Sequence, residues 1–207
     1  MIKYEMVMYM KILLTGFKPF GKNISNPSLG VLDELKNRRT ETIEVLKLDV
    51  VYGLDGEKVV EKIKEIKPDV VLSIGLAGGR SKVCLEAIAL NARDSEFKDN
   101  QGQIFLNEKI SNGPLAYDST LNLKRIKEKI ENENFMISYS AGTYVCNDVY
   151  YQELEYIVQN NLNIACGFVH IPYTEPKEEE PYLELNEIVH IISELLDVIL
   201  EERKCLK

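Results

Sequence analysis

Ser140-Ala-Gly-Thr-Tyr-Val-Cys146-Asn is the stretch of this chain whose residue types most directly suggest chemistry. It follows an apolar run, Phe135-Met-Ile-Ser-Tyr139, turns through two small residues and enters a helical pattern. Cys146 falls at or near the first turn of that helix. A thiol there meets unpaired backbone N–H groups and the positive end of the helix dipole, both of which favour the thiolate. A free thiol has a pKa of about 8.5 and is a weak nucleophile at neutral pH until its surroundings change that. The reading expected from the sequence is a strand, a tight turn and a reactive side chain held at the strand's carboxyl end, where open α/β sheets gather their chemistry.

A cysteine nucleophile needs a base, and the chain holds 2 histidines. His190 lies inside the long helical pattern Leu183–Leu200, among Ile188, Val189, Ile191 and Ile192, and reads as a helix-face residue. His170 ends a second apolar run, Ile164-Ala-Cys-Gly-Phe-Val, which Pro172 stops. Both candidates thus sit at strand ends, with the Cys146 helix as the connection between them. A right-handed parallel crossover is expected to return His170 beside the start of that helix. Their separation of 24 residues suits one helix and two short turns.

A histidine base is usually oriented by a carboxylate, amide or carbonyl. Glu86, Asp94, Asp148 and Asp197 are all available for that task. Glu86 sits in Cys84-Leu-Glu-Ala-Ile-Ala-Leu-Asn91, where a lone acid is expensive to bury unless paired. Its bland alternative is a strand residue facing water. Gly75-Leu-Ala-Gly-Gly-Arg80 matches neither the Walker spacing nor G-x-G-x-x-G, so nucleotide binding has little support. Phe17 and Phe20, on a glycine-flanked loop, either cap the sheet or wall a small apolar pocket.

The elements that must position these residues follow from periodicity. Lys11–Thr15, Ile43–Val51, Asp69–Gly75, Leu85–Leu90, Phe135–Tyr139 and Ile164–Val169 read as strands. Pro27 opens a helix through Val31, Leu32 and Leu35, with proline at a favoured first-turn position. Further helical patterns cover Val59–Ile66, Leu121–Ile130, Cys146 to about Asn160, and Leu183–Leu200. Phe97–Asp118 reads as irregular, with Ser111-Asn-Gly-Pro114 a turn. Strands alternating with helices predict an α/β fold, a mostly parallel twisted sheet covered on both faces. A length of 207 residues suits a single domain, 1–207, with 1–9 an extension ahead of the first strand and Met10 an alternative start.

The bulk numbers exclude some function classes. Against 33 acidic residues stand 25 basic ones, and no basic stretch is interleaved with aromatics, which argues against a nucleic-acid partner. No apolar run approaches the ~20 residues of a membrane span. Met1–Met10 carries Glu5 and lacks a signal-peptide core. The 4 cysteines (Cys84, Cys146, Cys166 and Cys205) show no C-x-x-C spacing and imply free thiols in a reducing compartment, with no zinc set. Cys166 reads as a small core residue and Cys205 as a terminal thiol.

Taken together, these segments resemble the pyroglutamyl-peptidase I family, also called pyrrolidone-carboxylate peptidases. The resemblance rests on Thr15-Gly-Phe-Lys-Pro-Phe-Gly21, Asn26-Pro-Ser28, Ala77-Gly-Gly-Arg80, Glu86 with Ala89-Leu-Asn91, Ser140 through Asn147, and Phe168-Val-His170-Ile-Pro-Tyr173. It implies a phosphorylase/hydrolase-like three-layer α/β/α fold and a Cys146–His170–Glu86 triad. It implies a cysteine exopeptidase that removes an N-terminal pyroglutamyl residue from peptides through a thioester. It further implies a cytoplasmic homotetramer with no metal or organic cofactor. For substrate binding, Phe17 and Phe20 are expected as pocket walls, with Asn26 and the backbone around Leu76 offering polar contacts and Arg80 assisting the oxyanion. Two positions depart from the family pattern: Leu76 stands where glutamine is common, and Glu96 where many members carry arginine. They leave open a divergent or inactive homologue that binds or cleaves another small lactam or amide.

Overall fold

The computed structural model describes residues 10–21, 23–39 and 43–205; the extension 1–9 lies outside them. In chain order the elements are β1 (Ile12–Phe17), α1 (Pro27–Arg38), β2 (Ile43–Leu48), α2 (Leu54–Ile66), β3 (Val70–Leu76), β4 (Val83–Glu86), β5 (Ile88–Leu90), β6 (Arg93–Ser95), β7 (Phe105–Glu108), β8 (Ala116–Asp118), α3 (Leu123–Lys129), β9 (Phe135–Ser138), α4 (Val145–Gln159), β10 (Ala165–Ile171) and α5 (Leu185–Cys205). The main sheet has 6 strands in the order β2-β1-β3-β10-β4-β9. β2, β1, β3 and β10 run parallel. β4 pairs antiparallel with β10, and β9 pairs parallel with β4, so the edge pair is reversed.

Every residue of β1, β3 and β10 is buried, which is why these strands read as continuous apolar runs rather than alternating ones. One face packs against α1, α3 and α5 through Leu32, Leu35, Ile126, Ile192 and Leu196. The other packs against α2 and α4 through Val59, Ile63, Val149, Leu154 and Phe168. These are the three layers expected from the sequence. The start of α1 also follows local rules: Asn26 caps it, its Oδ1 accepting from the Ser28 N–H (3.1 Å), and Pro27 supplies the first turn.

Three expectations need correction. The β9–α4–β10 segment is not a parallel crossover, because β4 lies between the two strands and β9 runs opposite to β10. Cys146 instead comes to the His170 region because the first turn of α4 packs over Gly75, the register partner of His170 on β10. The run Leu85–Leu90 is split at Ala87 into β4 and β5, and the Ala87 N–H is turned to the Ser138 carbonyl (2.7 Å). Phe97–Asp118, read as irregular, contains β7 and β8, which form two-stranded ribbons with β6 and β5 beside α4. Among the described residues no helix is long and apolar enough to cross a membrane.

Candidate active site

Three adjacent strands and one helix start build the site. Gly75, near the end of β3, has His170 on β10 as its register partner. A Cβ placed on Gly75 would lie 2.9 Å from Cys146 Sγ and 3.0 Å from Phe168 Cζ. The sulfur therefore sits in the space a side chain at residue 75 would fill. Partnered residues of parallel strands project from the same face, so thiol and imidazole occupy neighbouring positions on the α4 side of the sheet. Phe168, two residues before His170 on that face, stacks beside the imidazole with ring centroids 4.9 Å apart.

Glu86 completes the row. It is the register partner of Phe168 across the antiparallel β10–β4 pair and is fully buried. The His170 ring nitrogen Nδ1 lies 2.8 Å from Glu86 Oε1. With Nδ1 as the donor, Nε2 is left as the basic nitrogen. The same Oε1 lies 3.0 Å from Arg80 Nη2. Arg80 also donates to Ser138 Oγ (2.9 Å) and the Ser140 carbonyl (2.7 Å). Its guanidinium thus joins the buried carboxylate to the loop that leads into α4. Of the four acids considered for the orienting role, Glu86 alone reaches His170. Asp148 pairs with Arg93 (2.6 Å), Asp197 with Arg39, and Asp94 accepts from the Asn107 N–H. His190 projects outward near Glu194, as its helix-face position indicates.

The electrostatics of the thiol differ from the expectation. Burial pushes the Cys146 thiol up to about 12, and the negative charge of Glu86 adds to the rise, while the residue's own backbone N–H opposes it. At this helix start the loss of water outweighs the helix-end effect. Burial and the Glu86 charge both favour the neutral thiol. The first turn of α4 nevertheless remains a donor site, because its N-cap residue, Tyr144, makes no side-chain cap bond.

The expected pocket residues are distributed unevenly. Phe20 is partly exposed and packs against Tyr144, with centroids 6.2 Å apart, beside the helix start. Phe17 is buried behind Phe168 and belongs to the core; as a direct wall it is corrected to a support. Asn26 is also buried, its Oδ1 holding the α1 cap and its Nδ2 donating to the Lys18 carbonyl (3.2 Å), so it shapes the loop. Alternation turns the Leu76 side chain to the opposite face from Cys146, leaving its backbone as the part near the site. Glu96 is exposed beyond β6. The sequence reading missed Gly75, Ser138, Ser140 and Tyr144. A glycine near the end of an otherwise apolar strand was the available signal for the first of these. A cleft of about 530 Å³ opens over His170 and Arg80, bounded by Ala77 and the Ser138–Gly142 loop.

A thiol at a helix start, an imidazole and a buried carboxylate, set side by side on an α/β/α sandwich, define a site of the cysteine-peptidase class. Comparison with known proteins makes the assignment specific. A sequence profile described as pyroglutamyl peptidase matches residues 10–201. Pyrrolidone-carboxylate peptidase 1 of Caldanaerobacter subterraneus subsp. tengcongensis is 45% identical over 201 residues, covering 93% of this chain and 98% of that protein. The pyrrolidone-carboxylate peptidase of Brachyspira hyodysenteriae is 42% identical over 196 residues, covering 90% of this chain and 97% of its own. The crystal structure of pyroglutamyl peptidase I from Bacillus amyloliquefaciens superposes with a TM-score of 0.85 at 33% identity, covering 93% of this chain and 95% of that one. This chain belongs to the pyroglutamyl peptidase family.

Proposed function

We propose that the protein hydrolyses the amide bond after an N-terminal pyroglutamyl residue, with Cys146 as nucleophile, His170 as acid and base, and Glu86 as orienter. The observation that carries this reading is the row itself: Cys146 Sγ over Gly75, His170 as the register partner of Gly75, and Glu86 Oε1 at 2.8 Å from His170 Nδ1.

Burial and the nearby Glu86 favour the neutral thiol, so attack is coupled to proton transfer. His170 Nε2 takes the Cys146 proton as the sulfur closes on the pyroglutamyl carbonyl carbon. The backbone N–H of Cys146, in the open first turn of α4, receives the developing oxyanion. The imidazolium, stabilised by Glu86, then gives its proton to the leaving amine as the C–N bond breaks and a thioester remains. Water, deprotonated by His170, attacks the thioester and releases pyroglutamate and the thiol. Arg80 acts on the orienter rather than on the oxyanion: its contact with Glu86 offsets the cost of a buried carboxylate.

The substrate end has no charged amine, so recognition falls to shape and a few hydrogen bonds. Phe20 and Tyr144 provide apolar surface beside the nucleophile. The leaving peptide crosses the cleft over His170 and Arg80. Release of fluorophore from pyroglutamyl-aminomethylcoumarin, beside a prolyl analogue, tests the reading. It predicts release from the first only, abolished by iodoacetamide. Equal cleavage of the prolyl compound would move the protein to a different lactam or amide specificity.

A further inference from the structure

Glu153 is a buried acid for which the proposed mechanism has no use. It lies seven residues after Cys146, two turns further along the same face of α4, and it is completely shielded from solvent. Ser73 Oγ donates to its Oε1 at 2.6 Å, and Thr15 Oγ1 lies 2.8 Å from Ser73 Oγ. Cys166 Sγ lies 3.8 Å from its Oε2. The groups facing it from β3, β1, β10 and α4 are Ser73, Thr15, Cys166 and Tyr150. Tyr150 donates its hydroxyl to the Glu86 carbonyl (3.1 Å). No cation is paired with Glu153 among the described residues.

Ser73 and Gly75 are alternate residues of β3 and project from the same face. The Glu153–Ser73 bond is the one side-chain hydrogen bond among the described residues that joins α4 to β3. It ties the middle of α4 to the strand that carries Gly75, adding to the bonds that Asn147 and Asp148 make at the helix start, and so contributes to where Cys146 Sγ stands over Gly75. We propose that Glu153, buried and bonded to Ser73 with no cation beside it among the described residues, is a positioning residue for the Cys146 thiol, and that a charge placed in this apolar seam withdraws the thiol from its working place.

Charge on this carboxyl is disfavoured first by burial, which raises it to about 8, against smaller opposing contributions from Ser73 and Cys166. The sign follows from linkage. The fold holds a proton that the unfolded chain gives up near 4.5, so this group makes stability fall as pH rises from about 4.5 to about 8, and adds no further slope above that. An uncharged amide at residue 153 keeps the Ser73 bond and removes that dependence.

This inference rests on the assignment of Cys146 as nucleophile. The test is the pH profile of kcat/KM, together with the rate of Cys146 alkylation by iodoacetamide in a Cys205→Ser background. Both are measured in wild type, Glu153→Gln, Glu153→Leu and Ser73→Ala. Wild type is expected to lose turnover above about 8, and Glu153→Gln to lack that limb while retaining neutral-pH turnover. Glu153→Leu leaves the Ser73 hydroxyl without its acceptor, so it should fold with a modestly lower Tm and turn over about ten-fold more slowly at neutral pH, since small misplacements of reacting groups are costly. Ser73→Ala removes the bond to β3 and a donor to the carboxylate, so it should lower neutral-pH turnover as Glu153→Leu does and move the remaining limb to higher pH. Superimposable profiles for wild type and Glu153→Gln, or wild-type turnover by Glu153→Leu, overturn the proposal. If the variants do not fold, infrared titration of the wild type decides. A protonated carboxyl band at neutral pH, lost in step with activity, supports the proposal, and its absence refutes it. Alkylation of Cys146 reads the helix position without any substrate. A protein that fails to cleave pyroglutamyl-aminomethylcoumarin thus overturns the functional assignment while leaving the Glu153 result readable.

Discussion

Gly75→Ala is the sharpest perturbation of the site that leaves its chemical groups in place. The backbone at residue 75 has no left-handed requirement, so alanine adds one methyl group and no backbone strain. That methyl would stand 2.9 Å from Cys146 Sγ and 3.0 and 3.1 Å from two carbons of the Phe168 ring. Ordinary contact distances are ~3.5–4.0 Å, so the sulfur or the ring must retreat by roughly 0.5–1 Å. Phe168 is enclosed by Phe17 and Tyr150, with centroids 6.2 and 5.7 Å away, and has little room to yield. The thiol moves more easily, because it lies on the first turn of its helix. A displacement of about 1 Å in a reacting group can lower turnover by ~100-fold. Overpacking of this kind costs ~1–3 kcal/mol of stability, which leaves the protein folded. The assay is kcat/KM on pyroglutamyl-aminomethylcoumarin, with a thermal melt on the same sample. The account expects a fall of about 10- to 100-fold, with the loss in kcat exceeding any change in KM. Wild-type turnover by Gly75→Ala would refute the claim that the thiol works from the space above Gly75.

Other outcomes follow from the same geometry. His170→Ala should lose ~10²–10⁴-fold in kcat while Cys146 remains available to alkylation. Arg80→Met should destabilise the fold by about 1–3 kcal/mol, because it leaves Glu86 buried with one fewer charged donor; a melt and a pH–rate profile read the two consequences. Since the thiol is pushed up to about 12, its alkylation in the free protein should climb steadily with pH through the neutral range. A pH-independent plateau would instead mark a pre-formed thiolate–imidazolium pair. Tyr144→Ala should raise KM more than it lowers kcat, because the ring packs beside the nucleophile without entering the proton path.

Much of this site was legible from residue types. Cys146 at a helix start and His170 at a strand end were readable because glycine, proline and the switch of hydrophobic period mark both boundaries. The segment that carries them is not a parallel crossover, yet both residues stand beside Gly75 on the α4 side of the sheet. The reversal of β4 had a local cause that the sequence does contain. Only Ala77–Lys82 separates β3 from β4, too few residues for a parallel crossover. Glu86 could not be chosen over Asp148 from sequence physics alone, because each is an acid among apolar neighbours and only tertiary pairing separates them. Asn26 was misplaced for a related reason: the same side chain that serves a ligand serves a helix cap, and the following Pro27 favours the cap. The upward push on the thiol is not readable from sequence because burial and the nearby charge of Glu86 both arise from tertiary packing. Glu153 carries a signal of its own, an acid that shares the buried face of α4 with Asp148 but has no basic partner among the described residues.

The most direct test of the account is to follow activity and Cys146 modification together. Wild-type protein would be treated with iodoacetamide at substoichiometric steps, with and without a pyroglutamyl ligand, and each sample assayed for turnover and mapped by peptide mass. The account predicts that remaining activity equals the unmodified fraction of Cys146 and that ligand slows both losses equally. Full activity with Cys146 completely alkylated would contradict it.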